Sequence, residues 1–223
     1  MEALKSTATS MGGRVAKLNE QVATGKKINR PSDDPGRISQ LHNVRQELSN
    51  QGVYMKNAGQ AEQLLNVADS ALKDLHSTLT EARELAVQYA NEVYHGDQRA
   101  DASQVVDTLF ERALSGVNTK FNERYIFAGT AYSSEAYDGT GTYVGSTADP
   151  DTVVGDGVNV KTGFDGSGML TSGSDMFTAL DNLKTALNAD DTAGITSALD
   201  DIDAALDDVE GGMVTVGGRR KRR

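Results

Sequence analysis

The sequence contains no cysteine and no tryptophan, three prolines and 5% aromatic residues among 223. Without cysteine there is no disulfide framework, no thiolate metal site and no sulfur nucleophile. No apolar run approaches the roughly 20 residues that span a bilayer, and residues 1–27 lack the continuous apolar core of a cleavable signal peptide. With so few aromatics, 38% hydrophobic content suits helices packed through thin seams better than a thick globular centre. Basic charge is also scarce. The net charge is -10, and Arg219, Arg220, Lys221, Arg222 and Arg223 contribute +5 of it, so the rest of the chain carries -15. A body of that sign repels a polyanion, which argues against nucleic-acid binding except through the terminal basic cluster.

What is present is helical periodicity. Leu4, Met11, Val15, Leu18 and Val22 fall on one stripe of a first helix, expected to end near Ile28–Asn29 because Arg30 precedes Pro31. An extended connector follows, with Asp34 as expected N-cap and Pro35 suited to the first helical position. Ile38, Leu41, Val44, Leu48, Gln51, Met55 and Ala58 then recur at alternating spacings of three and four. After Ala58 the phase slips, and a second series runs Ala61, Leu65, Ala68, Leu72, Leu75, Leu79, Ala82, Ala86, Tyr89 and Val93. The slip, with Gly59 inside it, predicts a local change of twist or a bend. Asp97 is the expected cap of a third helix continuing to about Arg124.

From Thr130 to Gly173 glycine, threonine, serine and aspartate dominate, with β-prone pieces at residues 142–144, 152–154 and 158–162 and a hairpin signal at Gly155-Asp156-Gly157. This insert is expected to lie outside the helical seams and to lean on them. Helical pattern returns at Ser174, breaks at Asn188–Asp191 and resumes from Ile195. The expected fold is therefore mainly α: an elongated bundle of long antiparallel helices from both chain halves, with a small β-rich insert. The expected organisation is a helix and connector at 1–35, a helical core at 36–129 and 174–216, the insert at 130–173, and the start of a further C-terminal helix at 217–223.

Candidate chemistry is thin. His42, His76 and His95 show no metal-ligand spacing and no partner for general-base work. The Asp-rich pieces at 149–151, 155–157 and 190–191 lack the alternating ligands and closing glutamate of a calcium loop, and turn formation accounts for them. No glycine-rich phosphate cradle occurs. The sequence thus predicts neither an enzyme nor a cofactor. The apolar face from Leu4 to Val22 is expected to be left for another subunit.

The connector Thr24-Gly25-Lys26-Lys27-Ile28-Asn29-Arg30-Pro31-Ser32-Asp33-Asp34-Pro35 resembles a segment shared by flagellins and the hook-associated protein 3 family. Glu84-Leu85-Ala86-Val87-Gln88 is similar to that family's long core helix. Arg124-Tyr125-Ile126-Phe127-Ala128-Gly129-Thr130 resembles a segment typical of the junction proteins rather than of flagellins. The resemblance covers about residues 18–130, and it implies a flagellin-like core. It further implies a structural subunit of the bacterial flagellum, joining hook to filament by self-assembly, with a flagellin proper as the near alternative. A coiled-coil nucleic-acid-associated protein with a basic tail is the alternative from another class. The implied neighbours are copies of the same chain, hook-associated protein 1, flagellin and a type III export chaperone, with no nucleic acid and no membrane. The implied location is extracellular, after export without a cleavable signal. Thr24, Gly25, Arg30, Pro31, Ser32, Asp33, Asp34 and Pro35 are the implied assembly connector, and Arg124, Tyr125, Phe127, Ala128 and Gly129 the family motif.

Overall fold

A computed structural model describes residues 2–30, 35–170 and 175–221, with the backbone alone at Ala3, Pro35 and Met169. The elements in order are α1 (Glu2–Thr24), α2 (Pro35–Tyr89), α3 (Gly96–Val117), β1 (Lys120–Phe121), β2 (Arg124–Tyr125), β3 (Asp151–Gly155), β4 (Val158–Lys161), α4 (Gly166–Leu170), α5 (Met176–Asn188) and α6 (Thr192–Lys221). They divide into two compact units, Met1–Val53 and Tyr54–Arg223.

The first unit contains α1 and the beginning of α2. None of its described side chains is buried, and the stripe read from the sequence is open to solvent: Leu4 is 79% exposed and Val22 83%. Helix α1 ends at Thr24, short of the expected Ile28–Asn29. The cause is local. Gly25 takes a left-handed φ of +64°, the usual helix-ending conformation, and the Thr24 hydroxyl donates back to the Glu20 carbonyl at 2.8 Å. The expected cap Asp34 lies outside the described residues, and Pro35 opens α2.

The second unit holds the core. Ala61, Leu65, Ala68, Leu72, Leu75, Leu79, Ala82 and Ala86 are all buried and Tyr89 is half-buried, whereas Val93, the expected last member of the second seam, lies past the end of α2 at Tyr89 and is 74% exposed. Helix α2 passes Gly59 without interruption, and the phase slip marks where packing begins rather than where the helix breaks. Against that seam stand Ala102, Val106, Leu109, Ala113 and Val117 of α3, Leu180, Leu183 and Leu187 of α5, and Ile195, Ala198, Ile202, Ala205, Val209 and Val216 of α6. The α6 list alternates branched residues with Ala198 and Ala205, so that side chains of different size fill the seam. Polar contacts reinforce the seams at their edges: the ion pair Arg83–Asp203 (2.5 Å) and the hydrogen bond His76–Glu210 (3.2 Å) join α2 to α6, and the ion pair Lys184–Asp107 (2.6 Å) joins α5 to α3. Each pair is largely solvated and individually worth little.

Two expected boundaries move. His95, not Asp97, is the N-cap of α3, because Gln98 at the third helical position reaches back to accept from the His95 N–H at 3.2 Å. The expected run of α3 to Arg124 stops at Val117, where β1 and β2 form a tight hairpin with register Lys120↔Tyr125 and Phe121↔Arg124. Its central residues Asn122 (φ +48°) and Glu123 (φ +62°) are both left-handed, the geometry of a type I′ turn. Glutamate at such a position is unusual, so no residue pair announced the turn.

The 130–173 segment contains the antiparallel hairpin β3–β4 around Gly155-Asp156-Gly157, as the turn signal indicated; the 142–144 piece forms one isolated bridge, Tyr137↔Tyr143. The expectation that this insert stands outside the seams does not hold. Tyr137, Phe164 and Leu170 are almost wholly buried in the same apolar cluster as the helices, and the Tyr137 ring meets Phe177 of α5 at 5.4 Å. Helix α5 is capped by Asp175, whose carboxylate accepts from the Phe177 N–H at 3.1 Å. Residues 217–221 continue α6 without a break.

Candidate assembly interface

The connector residues of the first unit are held by short-range bonds. Thr24 Oγ1 lies 2.9 Å from Asn29 Oδ1, Gln21 Nε2 donates to the Lys27 carbonyl at 2.6 Å, and Arg30 pairs with Glu20 at 3.4 Å. Gly25 supplies the left-handed residue that turns the chain out of α1. Pro31, Ser32, Asp33 and Asp34 lie outside the described residues.

The second sequence motif is the graft between α3 and the insert. Arg124 and Tyr125 form β2, while Ile126, Phe127 and Ala128 are buried. Gly129 has φ +60°, and a Cβ there would lie 1.9 Å from the Ser146 carbonyl oxygen, so glycine is required on both counts. The Phe127 carbonyl accepts from the Gly166 N–H at 3.1 Å, and its ring lies 5.9 Å from Phe164. Phe127, Ala128 and Gly129 therefore build structure, whereas Arg124 is exposed.

Sequence reasoning missed three residues that complete this graft. Asn118, the C-cap of α3, accepts from both the Ala136 and Tyr137 N–H groups and donates to the Tyr137 carbonyl. Tyr137 donates its hydroxyl to the Gly166 carbonyl at 2.9 Å, and burial raises its pKa. Arg219, in the terminal basic cluster, donates to the Gly163 carbonyl at 2.7 Å, pairs with Asp149 at 2.8 Å, and stacks over the Phe164 ring at 4.6 Å. The only available signal for it was the i, i+3 spacing from Val216. Arg220 lies 3.8 Å from Asp69. Arg219 and Arg220, engaged with carboxylates of their own chain, are poorly disposed to bind phosphate.

Among the described residues no group of three histidine, aspartate or glutamate side chains could hold a metal ion, and none of their helices is long and apolar enough to cross a membrane. A cleft of about 430 Å³ lies between α6 and the insert, where Asp149, Asp165, Asp207 and Asp208 face Arg219.

A family model for the bacterial flagellin N-terminal helical region matches residues 2–132, more than half of the chain. The chain belongs to the flagellin family. Within that family it is 31% identical over 131 residues to flagellar hook-associated protein 3 of Salmonella typhimurium, covering 58% of this chain and 41% of that protein. Its likeness to the Escherichia coli protein of the same name is of the same extent. The flagellin of Clostridium tyrobutyricum is 28% identical over 116 residues, 52% of this chain and 31% of its own length. The chain thus spans less than half the length of these curated relatives. Among solved folds, Bacillus cereus FlgL superposes with a TM-score of 0.72 at 22% identity, covering 82% of this chain and 91% of that one. The flagellar junction protein FlgL of Legionella pneumophila gives 0.69 at 15%, covering 84% and 94%. These likenesses establish the flagellin-type fold with a small two-stranded insert.

Proposed function

We propose that the chain is a structural subunit of the bacterial flagellum that joins hook to filament at their junction, and that it has no enzymatic role. The observation that carries this reading is the open apolar stripe of the first unit, with Leu4, Met11, Val15, Leu18 and Val22 all more than half exposed along one face of α1. Such a face is stabilised on docking into a neighbour. The domain scheme of the sequence belongs to the same proposal: residues 1–35 serve assembly, 36–129 with 174–216 form the body, and 130–173 is packed insert. Thr24, Gly25, Arg30 and the Pro31–Pro35 stretch link assembling helix to body, and Arg124–Gly129 fixes the insert. The axial neighbours are further copies, hook-associated protein 1 and flagellin; a type III export chaperone holds the chain before secretion without a cleavable signal.

Flagellin itself is the nearest rival, and copy number separates the two. Quantitative mass spectrometry of purified flagella is expected to find this protein at a small fraction of the major filament subunit. Abundance equal to that subunit overturns the junction reading in favour of flagellin, and absence from flagella overturns both.

A further inference from the structure

Five arginines of the second unit, Arg83, Arg99, Arg112, Arg219 and Arg220, each meet a carboxylate within 4 Å. Among the described residues of that unit, Arg124 is the one arginine that meets none. Its guanidinium instead stands over the Tyr132 ring, 4.4 Å from the centroid, which holds the fork in place while leaving its N–H groups unclaimed. In a chain of net charge -10, an oriented and unpaired guanidinium is a marked exception.

Its surroundings extend the exception. Phe121 and Arg124 are register partners and share one face of the β1–β2 hairpin; Lys120 and Tyr125 share the other. On the Lys120 face a carboxylate is already present, since Tyr125 donates its hydroxyl to Glu135 at 3.3 Å, and the Lys120 pKa is raised by Tyr125 first and then by Glu123 and Glu135. The Arg124 face instead opens on a groove of about 330 Å³ lined by Asn57, Gln60, Leu64, Phe121 and Asn122. Gln60 and Asn122 present exposed amides, and Lys56, exposed and in no ion pair, stands one residue from Asn57. Asp151, the one carboxylate lining the adjoining smaller cleft, makes no ion pair with Arg124. A planar cation between amide donors is suited to a carboxylate presented on a helix or loop.

The matching anion lies elsewhere on the same molecule. Residues 200–210 carry six carboxylates and no lysine or arginine. Asp203 and Glu210 are engaged by Arg83 and His76, but Asp200 and Asp207, seven residues apart on one stripe of α6, are exposed and in no ion pair. We infer that the Arg124 groove receives the Asp200–Asp207 face of α6 from a second copy of this chain. Two different patches then meet, a head-to-tail contact of the kind that closes rings. Copies with this much negative charge approach one another most favourably where the open cation meets the densest run of carboxylates. The inference rests on the self-assembling reading above.

The absence of cysteine provides the test. Asn122→Cys places a thiol at the groove, and Ala204→Cys places one between Asp200 and Asp207. Under mild oxidation at low salt and high protein concentration, a mixture of the two single variants is expected to form disulfide dimers about tenfold faster than either variant alone. Adding Arg124→Glu to the Asn122→Cys chain is expected to remove that preference, and adding Asp200→Lys with Asp207→Lys to the Ala204→Cys chain to restore it. Thermal melts exclude misfolding as the cause of a loss, and restoration cannot arise from a damaged fold. Sedimentation of the unsubstituted chain runs in parallel. Association without preferential mixed dimers overturns this contact and leaves self-assembly standing; mixed dimers unaffected by Arg124→Glu also overturn it. A chain that neither associates nor forms mixed dimers overturns the contact and counts against the assembly reading.

Discussion

At the residue scale, stability concentrates in a few polar side chains that join segments distant in sequence. Arg99 is 4% exposed and donates to the carbonyls of Tyr89 (2.9 Å) and Asn91 (3.0 Å) and to the carboxylate of Asp190. It thereby ties the end of α2 and the start of α3 to the α5–α6 turn, where Asp190 holds a left-handed φ of +55°. Removing it takes the donor from both carbonyls and frees a strained turn. Arg99→Ala is expected to destabilise by about 2–4 kcal/mol, read as a lowered denaturant midpoint; Arg99→Lys is expected to recover only part, because an ammonium cannot reproduce the planar fork. Tyrosine burial sets a second expectation. Burial, with Asp165 nearby, pushes the Tyr143 pKa up to about 12, and Tyr137 shifts the same way. The folded state favours the neutral phenol, so this contribution to stability is complete below the ordinary tyrosine value near 10 and is lost as pH rises from there through about 12. Melts between pH 9 and 12 are expected to show a shallower decline for Tyr143→Phe than for the parent.

At the scale of elements, the sequence made the helices legible and the insert's attachment illegible. The series from Ala61 to Ala86 was readable because a helix buried along one side must repeat apolar residues every three or four positions, and every member named is buried. The Gly155-Asp156-Gly157 hairpin was readable for an equally local reason. In contrast, Tyr137 and Phe164 sit among turn-forming residues with no periodicity, and what buries them is Phe177 and Phe127 from other elements. The type I′ turn at Asn122-Glu123 carries no glycine to announce it. Of the candidate site, Gly25 and Gly129 were legible as glycines in unusual segments, but the open state of Arg124 depends on which carboxylates are absent around it in space. These placements reverse the expectation for the insert. Deleting residues 131–173 and bridging the gap with a short linker is expected to strip Tyr137, Phe164 and Leu170 from the cluster and to abolish cooperative thermal unfolding. Retained cooperativity with the parent midpoint would show that the helices close without them.

At the scale of the whole molecule, the two units differ in kind. The first has no buried side chain among those described, so its helical bonds are protected only by local structure; the second has a continuous apolar cluster. Hydrogen exchange on the isolated chain is therefore expected to be fast through residues 2–30 and 35–53 and slow by several orders of magnitude through 61–86 and 195–209. Slow exchange in α1 of the isolated chain would mean that its apolar stripe is already covered.

The buried seam of α6 has a kinetic consequence. Ile195, Ala198, Ile202, Ala205, Val209 and Val216 complete a cluster whose other wall begins at Leu65, and Arg219 fastens that helix to Asp149 and Gly163. The contacts that close the core thus span well over a hundred residues, and the entropy of closing so long a loop must be met before they form. A chain delivered from its N-terminus, whether by a ribosome or through a narrow conduit, lacks the closing wall until α6 emerges. Until then it stays extended and pliable, and its commitment to the compact form waits on the arrival of that one helix.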